Sequence, residues 1–463
     1  MISFGVIFWP GLVLLLIISL AIGLYNKSSD SSEWMSAGRK VKTLQLTASI
    51  IGTMVGGALF VAVVLLGYDI GIVGIYIGIA YIIGLILLGL LSKRITHLLD
   101  ETQSESIYHF IVNKLGTKVG RLYSLINAVL FIFAVAGQIL AMYHFFLNVP
   151  GISHPQIAII AAILLTVIVV TIYIYTGGLR KDIVSDVFQL IYIVIGLAFF
   201  IPHILDLPLH SYFVSLDPKL YTVGYYGLGW AVAALFLIMP MLFVRADLWQ
   251  RIRAAESPSV ARNAFLISAP IVGISFCLFI IVGMIARGAA ISKDTNLIME
   301  LATLNTSTPT SDWLIPLLAL SFIGAIISSL DSLLNVSSIA SVRFTNPGEN
   351  TVEEQSTSLN ALQKAAFIAA LLVILLLVFF SNIVDIFVGA ISFVMVLSLP
   401  ILLILLDYNP HKNGAFYSIA VGAAVLIIAW FFIPKYAFIP AVILGWITYP
   451  AIIFFEKLSS KNN

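Results

Sequence analysis

Phe322-Ile-Gly-Ala-Ile-Ile-Ser-Ser-Leu-Asp-Ser-Leu-Leu-Asn-Val-Ser-Ser-Ile-Ala-Ser-Val342 is an apolar stretch with an acid and a row of hydroxyls at its centre. Residues three and four apart are neighbours on a helix, so Ala325, Ser328, Ser329 and Ser332 share one face. That face is polar. A charge at a bilayer centre costs roughly 3 kcal/mol on insertion scales, so Asp331 is expected to look into a bundle interior, toward a cation or water. Serines in membrane helices also bond their own carbonyls four residues back or let helices approach closely. The acid among them favours one wall of an intramembrane ion site.

Around this stretch the chain of 463 residues is 60% hydrophobic and only 10% charged, with a mean hydropathy of +1.07. That leaves too little polar surface for a soluble globule of this size. The reading is an all-α polytopic membrane protein, and a net charge of +2 gives no sign of a nucleic-acid surface. The single Cys277 lies in an apolar segment and can form neither an internal disulfide nor a Cys/His metal cluster. The first apolar segment lacks a basic start and is followed by Lys27, the pattern of a retained helix.

About 20 apolar residues cross a ~30 Å hydrocarbon layer. Thirteen such windows lie near 4–25, 44–68, 71–92, 120–148, 155–175, 183–204, 226–248, 263–290, 312–342, 363–381, 384–406, 413–433 and 437–456. With the N-terminus outside, 20 of the 24 Lys and Arg residues fall on the cytoplasmic side, leaving only Lys219, Arg287, Lys293 and Lys435 outside. The positive-inside rule therefore sets an outer N-terminus and a cytoplasmic C-terminus. The longest connections, near 93–119, 205–225, 291–311 and 343–362, leave no room for an appended catalytic domain.

Three further stretches carry polar groups. The second window places Gly52, Gly56 and Gly57 in its middle; they either break the helix, exposing carbonyls to a cavity, or form a close packing face. Thr176-Gly-Gly-Leu-Arg-Lys-Asp-Ile-Val-Ser-Asp-Val-Phe-Gln189 is a basic turn entering a span. Asp182 is expected at the interface beside Arg180 or Lys181, with Asp186 one turn deeper and Gln189 on the same face. Arg245-Ala-Asp-Leu-Trp-Gln-Arg-Ile-Arg-Ala-Ala255 reads as a cytoplasmic hinge or, more readily, a lipid-facing interfacial helix.

Taken together, these stretches resemble the sodium/solute symporter family, which includes sodium-coupled sugar, proline, pantothenate, sialic-acid and choline carriers. Gly177-Gly-Leu179 with Asp186 and Gln189 is similar to that family's Gly-Gly-Leu…Asp-x-x-Gln signature. Asp247-x-Trp249-Gln250-Arg251 with Ala254-Ala255, and Ser328-Ser-Leu-Asp-Ser332, are similar to two more of its segments. The resemblance implies a leucine-transporter-like fold of two inverted five-helix repeats, with about 13 transmembrane helices.

The implied organisation is an extra helix and cytoplasmic loop at 1–43, core helices one to five at 44–204, an extracellular loop at 205–225 and core helices six to ten at 226–407. Two further helices and a short tail occupy 408–463.

The resemblance also implies a sodium site of backbone oxygens from Gly52, Val55 and Ala325 and hydroxyls from Ser328 and Ser329, an all-oxygen set suited to a hard cation. A second sodium site is implied at Asp186 and Ser332, to which Asp331 could add a carboxylate.

Gly56, Gly57, Phe60, Gln138 and Trp230 are the substrate-site candidates. Sparse polar groups after the glycine run lower the sugar reading. An amino acid or small carboxylate is favoured, with a quaternary amine such as choline or a sugar as alternatives. A channel or sensor on the same fold is the alternative of another class. The absence of a Ser/His/Asp or metal-ligand constellation at membrane depth argues against an enzyme. The expected partners are the solute and membrane lipid, with a monomer as the working expectation and a bacterial inner membrane as the setting.

Overall fold

The computed structural model describes residues 4–25, 31–147, 154–223, 228–293, 295–304, 311–346, 354–376, 391–408, 410–433 and 437–460. Long apolar segments with few backbone partners in lipid must satisfy their amides internally, and helices do so. The principal helices are α1 (Phe4–Tyr25), α2 (Thr43–Met54), α3 (Gly57–Ile70), α4 (Ile75–Glu101), α5 (Thr117–Phe146), α6 (Pro155–Thr176) and α7 (Leu179–Leu205). They continue with α8 (Met239–Val244), α9 (Ala246–Ala254), α10 (Pro258–Gly288), α11 (Ser311–Thr345), α12 (Glu354–Leu376), α13 (Ser398–Leu405), α14 (Lys412–Phe432) and α15 (Phe438–Ser459).

Eight described helical stretches are long and apolar enough to cross a membrane, and two shorter apolar helices lie at Pro155–Val170 and Leu359–Leu375. The chain is a multi-pass membrane protein. The expected window 44–68 is not one helix. It divides at Val55 and Gly56 into α2 and α3, so the glycine-rich segment holds a break. The window 226–248 is also broken, passing from Leu228–Ala233 through a wide π turn at Ala234–Ile238 into α8. The first part of the window 384–406, before 391, lies outside the described residues.

Helix α11 is the axis of the bundle. Its most apolar window is 83% buried, against 17% for that of α15, so the serine helix is surrounded by protein while the last helix faces lipid. Against α11 pack α7, α5, α12, α1, α2 and α3, while α10 lies across α2, α3 and α4.

The two ends of the bundle are fastened by charge pairs. At one end Arg39 pairs with Asp100, Arg253 with Asp100 and Glu105, and Arg180 with Glu33. Lys293 pairs with Asp69 at the other end of the α3–α4 pair. These pairs join loops that the basic-residue count assigns to common sides.

Close approach of α3 to α10 depends on two glycines. A Cβ on Gly283 would overlap the Val64 carbonyl oxygen and one on Gly67 the Ile280 carbonyl oxygen, both backbone atoms that cannot swing aside. Gly283→Ala is expected to destabilise by about 1–3 kcal/mol, the range for overpacking. Gly229→Ala, whose Cβ would meet nothing within 4 Å, serves as the control. Thermal unfolding of the detergent-purified variants checks this; equal midpoints would refute the contact.

Candidate functional site

The break in the α2–α3 pair faces the serine row of α11. At the end of α2 the Val55 amide still bonds the Ile51 carbonyl, and the Phe60 amide next returns to the Gly56 carbonyl. A helix end leaves its last carbonyls without intrahelical donors, and here those begin at Gly52. The two helices can meet because side chains are missing. A Cβ on Gly52 would lie 2.7 Å from Ser328 Oγ and 3.6 Å from Asp186 Oδ1, and one on Gly56 would overlap Ser329 Oγ. Ser329 Oγ donates to the Ala325 carbonyl at 3.1 Å, and Ser328 Oγ donates to Asp186 Oδ1. Gly52, Ala325, Ser328 and Ser329 are thereby assembled, with Val55 at the break and Asp186 as an added neighbour.

Beside this group lies a buried polar cluster. Asp182, Asp186 and Asp331 offer carboxylate oxygens within 4.8 Å of one another. Two basic groups enter among them. Lys181 Nζ lies 2.6 Å from Asp331 Oδ2, with both side chains buried. Arg251 Nη2 lies 3.9 Å from Asp182 Oδ2 and 4.0 Å from Asp186 Oδ2. The same guanidinium donates to Ser49 Oγ at 3.1 Å, to Ser332 Oγ at 3.1 Å and to Thr53 Oγ1. Ser332 Oγ also donates toward Asp182 at 2.8 and 2.9 Å. Three carboxylates against two cations leave a formal charge of −1. Asp186 Oδ2 and Asp331 Oδ1 accept no hydrogen bond among the described residues.

Asp182 therefore differs from its expected interfacial place. It is fully buried against α11, while Arg180 turns away to Glu33 and Lys181 to Asp331. The 245–255 segment differs too. Every residue of α9 is buried, so it is not a lipid-facing helix. Bent inward at Arg245, it hands Arg251 to the cluster and Gln250 to Asn335 Oδ1 at 2.7 Å and the Met35 carbonyl at 2.8 Å. Sequence reasoning missed Arg251 because three arginines within nine residues look like surface. The Arg251 Nη1 also donates to the backbone carbonyl of Asp247, one turn back, at 3.2 Å.

The four solute-site candidates whose side chains are described do not line one cavity. Gly57 is closed against Ile326, and Gly56 against Ser329. Phe60 stacks on Phe279 at 3.9 Å between centroids and lines an apolar cavity with Val55, Phe322 and Ala325. Gln138 lines a different cavity with Thr53, Tyr81 and Arg245. The Trp230 side chain lies outside the described residues.

No protein-family model matches the chain, and no curated protein matches it in sequence. Among solved structures it is similar to a Na+-coupled sialic acid symporter in a substrate-bound outward-open state. There the identity is 18% and the TM-score 0.73, over 97% of this chain and 98% of that one. It is also similar to a nucleobase-cation-symport-1 family transporter, closed with bromovinylhydantoin bound, at 14% identity and a TM-score of 0.56 over 94% and 95% of the two chains. The fold is of the leucine-transporter type.

Removing one partner of a buried ion pair costs about 3–5 kcal/mol, whereas replacing both with apolar groups is often neutral. Lys181→Met and Asp331→Asn are each expected to lower thermal stability strongly, and Lys181→Met/Asp331→Leu to recover most of the loss. Unfolding midpoints of the three variants check the coupling. A double variant no more stable than the worse single one would show that the two groups do not act as a pair.

Proposed function

We propose that the chain is a sodium-coupled symporter that imports a small organic solute by alternating access, with an amino acid or small carboxylate favoured. The observation that carries this is the broken α2–α3 helix set against Ser328 and Ser329. It gathers carbonyl, hydroxyl and carboxylate oxygens around one spot. Hard cations select such oxygen donors, and discontinuous helices near the midplane are where such folds bind ions and solutes. The residues that would hold the ion are Gly52, Val55 and Ala325 through their carbonyls and Ser328 and Ser329 through their hydroxyls. Asp186 faces the same spot through Ser328, so a bound monovalent cation would neutralise the one formal charge left over in the cluster.

A single ion is favoured. The place implied for a second one, at Asp186, Asp331 and Ser332, already holds two tethered cations, Lys181 and Arg251.

The first helix of each proposed repeat, 44–204 and 226–407, is interrupted, which supports that division. The assignment of residues 39, 100, 105 and 253 to one side, and of 33 and 180 to one side, is supported by the pairs that tie them together; that this side is cytoplasmic rests on the positive-inside rule. Coupling then requires only that the solute bind more tightly to the sodium-loaded form. Each cation moved inward contributes ~2.3 kcal/mol per 100 mV of potential, besides its gradient.

Uptake into liposomes tests the reading, with a panel of proline, other amino acids, pantothenate, choline, lactate, glucose and sialic acid, with and without an inward sodium gradient. Sodium-dependent, saturable uptake of one solute is expected, and Ser328→Ala/Ser329→Ala should abolish it. Uptake indifferent to sodium, or surviving loss of both hydroxyls, would refute the assigned site.

A further inference from the structure

The cavity that holds Gln138 is small, with a volume of about 60 Å³, several times the roughly 10–15 Å³ that one water needs. Its polar lining is Thr53, Tyr81, Gln138 and Arg245, and the rest is apolar, Phe131 and Leu333 included. It is distinct from the Phe60 cavity, whose lining contains no charged side chain. One polar end and one apolar remainder describe a site for an amphiphilic solute.

Arg245 decides which kind. Its Nε donates to Asp247 Oδ1 at 3.0 Å and its Nη2 to Asp247 Oδ2 at 2.7 Å. Asp247, buried beneath it, fixes the plane of the guanidinium. The third nitrogen is differently placed. Nη1 meets the Met54 thioether at 3.5 Å, a weak acceptor, and the Tyr81 hydroxyl also hydrogen-bonds the guanidinium. A guanidinium carries five N–H donors in a fixed fork, and that fork fits a carboxylate. Arg245 thus arrives in the cavity oriented by one carboxylate, and a second would displace the weak Met54 contact and share the outer donors with the Tyr81 hydroxyl.

Thr53 ties this cavity to the charged cluster. It lines the cavity, and its Oγ1 lies 3.2 Å from Ser332 Oγ and accepts from Arg251. With the cluster at a formal −1, an anion in the cavity is repelled. A monovalent cation beside Asp186 removes that repulsion, so anion binding and cation binding favour each other.

We propose that the cavity bounded by Thr53, Tyr81, Gln138 and Arg245 takes a small amphiphilic monocarboxylate, with the Arg245 guanidinium as its anchor. The proposal rests on the symporter reading for its sodium dependence and on the cavity alone for its chemistry.

The test is equilibrium binding of radiolabelled phenylacetate and butyrate to the purified protein in nanodiscs, in sodium and in potassium, with phenylacetamide, choline and glucose as competitors. Carboxylates should bind and the amide, choline and glucose should not displace them. Arg245→Gln should weaken carboxylate binding about 10- to 150-fold, the loss expected for a hydrogen bond to a charged group. Arg245→Gln/Asp247→Asn, which leaves no unpaired buried acid, should show the same loss. Phenylglyoxal modification of the wild-type protein needs no variant: carboxylates should protect Arg245 several-fold and phenylacetamide should not.

Binding of choline or glucose in place of carboxylates, or carboxylates that neither depend on nor protect Arg245, would overturn the proposal. Carboxylate binding through Arg245 that is equal in sodium and potassium would uphold it and overturn the sodium-coupled reading instead.

Discussion

Low-dielectric surroundings tolerate charge only when it is matched, and this constraint organises the middle of the molecule. An isolated carboxylate in a medium of ε ≈ 4 loses solvation worth tens of kcal/mol. Three of them lie together among Asp182, Asp186 and Asp331. They can do so because Lys181 and Arg251 are carried in from the same end of the bundle, one on α7 and one on α9. The inward bend at Arg245, the burial of all of α9 and the glycine-lined contact between α2 and α11 are each needed for those groups to meet. Remove any one and a charge is left without its partner.

The same constraint links structure to transport. In the proposed reading, a cluster whose formal charge is −1 would favour a monovalent cation, and the helix break at Gly52–Val55 is the oxygen-rich spot beside it. The break supplies carbonyls without charge, the serines supply hydroxyls, and Asp186 supplies the residual negative charge through its contact with Ser328. Thr53 stands on the wall between this arrangement and the Arg245 cavity. An ion at the break and a solute in the Arg245 cavity, as proposed, would be close enough to influence one another electrostatically without sharing a ligand.

Much of this was legible in the chain. Windows of apolar length located the helices, because crossing lipid demands about 20 such residues whatever their neighbours. Gly52, Gly56 and Gly57 left a break and a packing face as equal readings, and the structure has both; the Ser328-Ser329 spacing announced the polar face. What stayed hidden was depth. Lys181 and Arg251 sit in segments dense in basic residues, and a sequence gives no measure of whether such a segment lies on a surface or folds beneath it. Asp331 looked like a possible cation ligand because its partner lies 150 residues away. Arg245 escaped notice as a cavity residue for the same reason: position along the chain placed it at a span end, whereas the bend into α9 turns it inward. Phe60 was chosen for its place after the glycine run and Gln138 as a polar residue within a span, and neither criterion distinguishes the two cavities they line.

The central claim is that one monovalent cation neutralises the buried cluster at the helix break. Equilibrium binding of radioactive sodium to the purified protein, with potassium as competitor and Asp186→Asn beside the wild type, tests it most directly. The account predicts saturable binding of one sodium per chain, unaffected by equal potassium and lost in Asp186→Asn. Binding of two ions, or binding untouched by removal of the Asp186 charge, would contradict it.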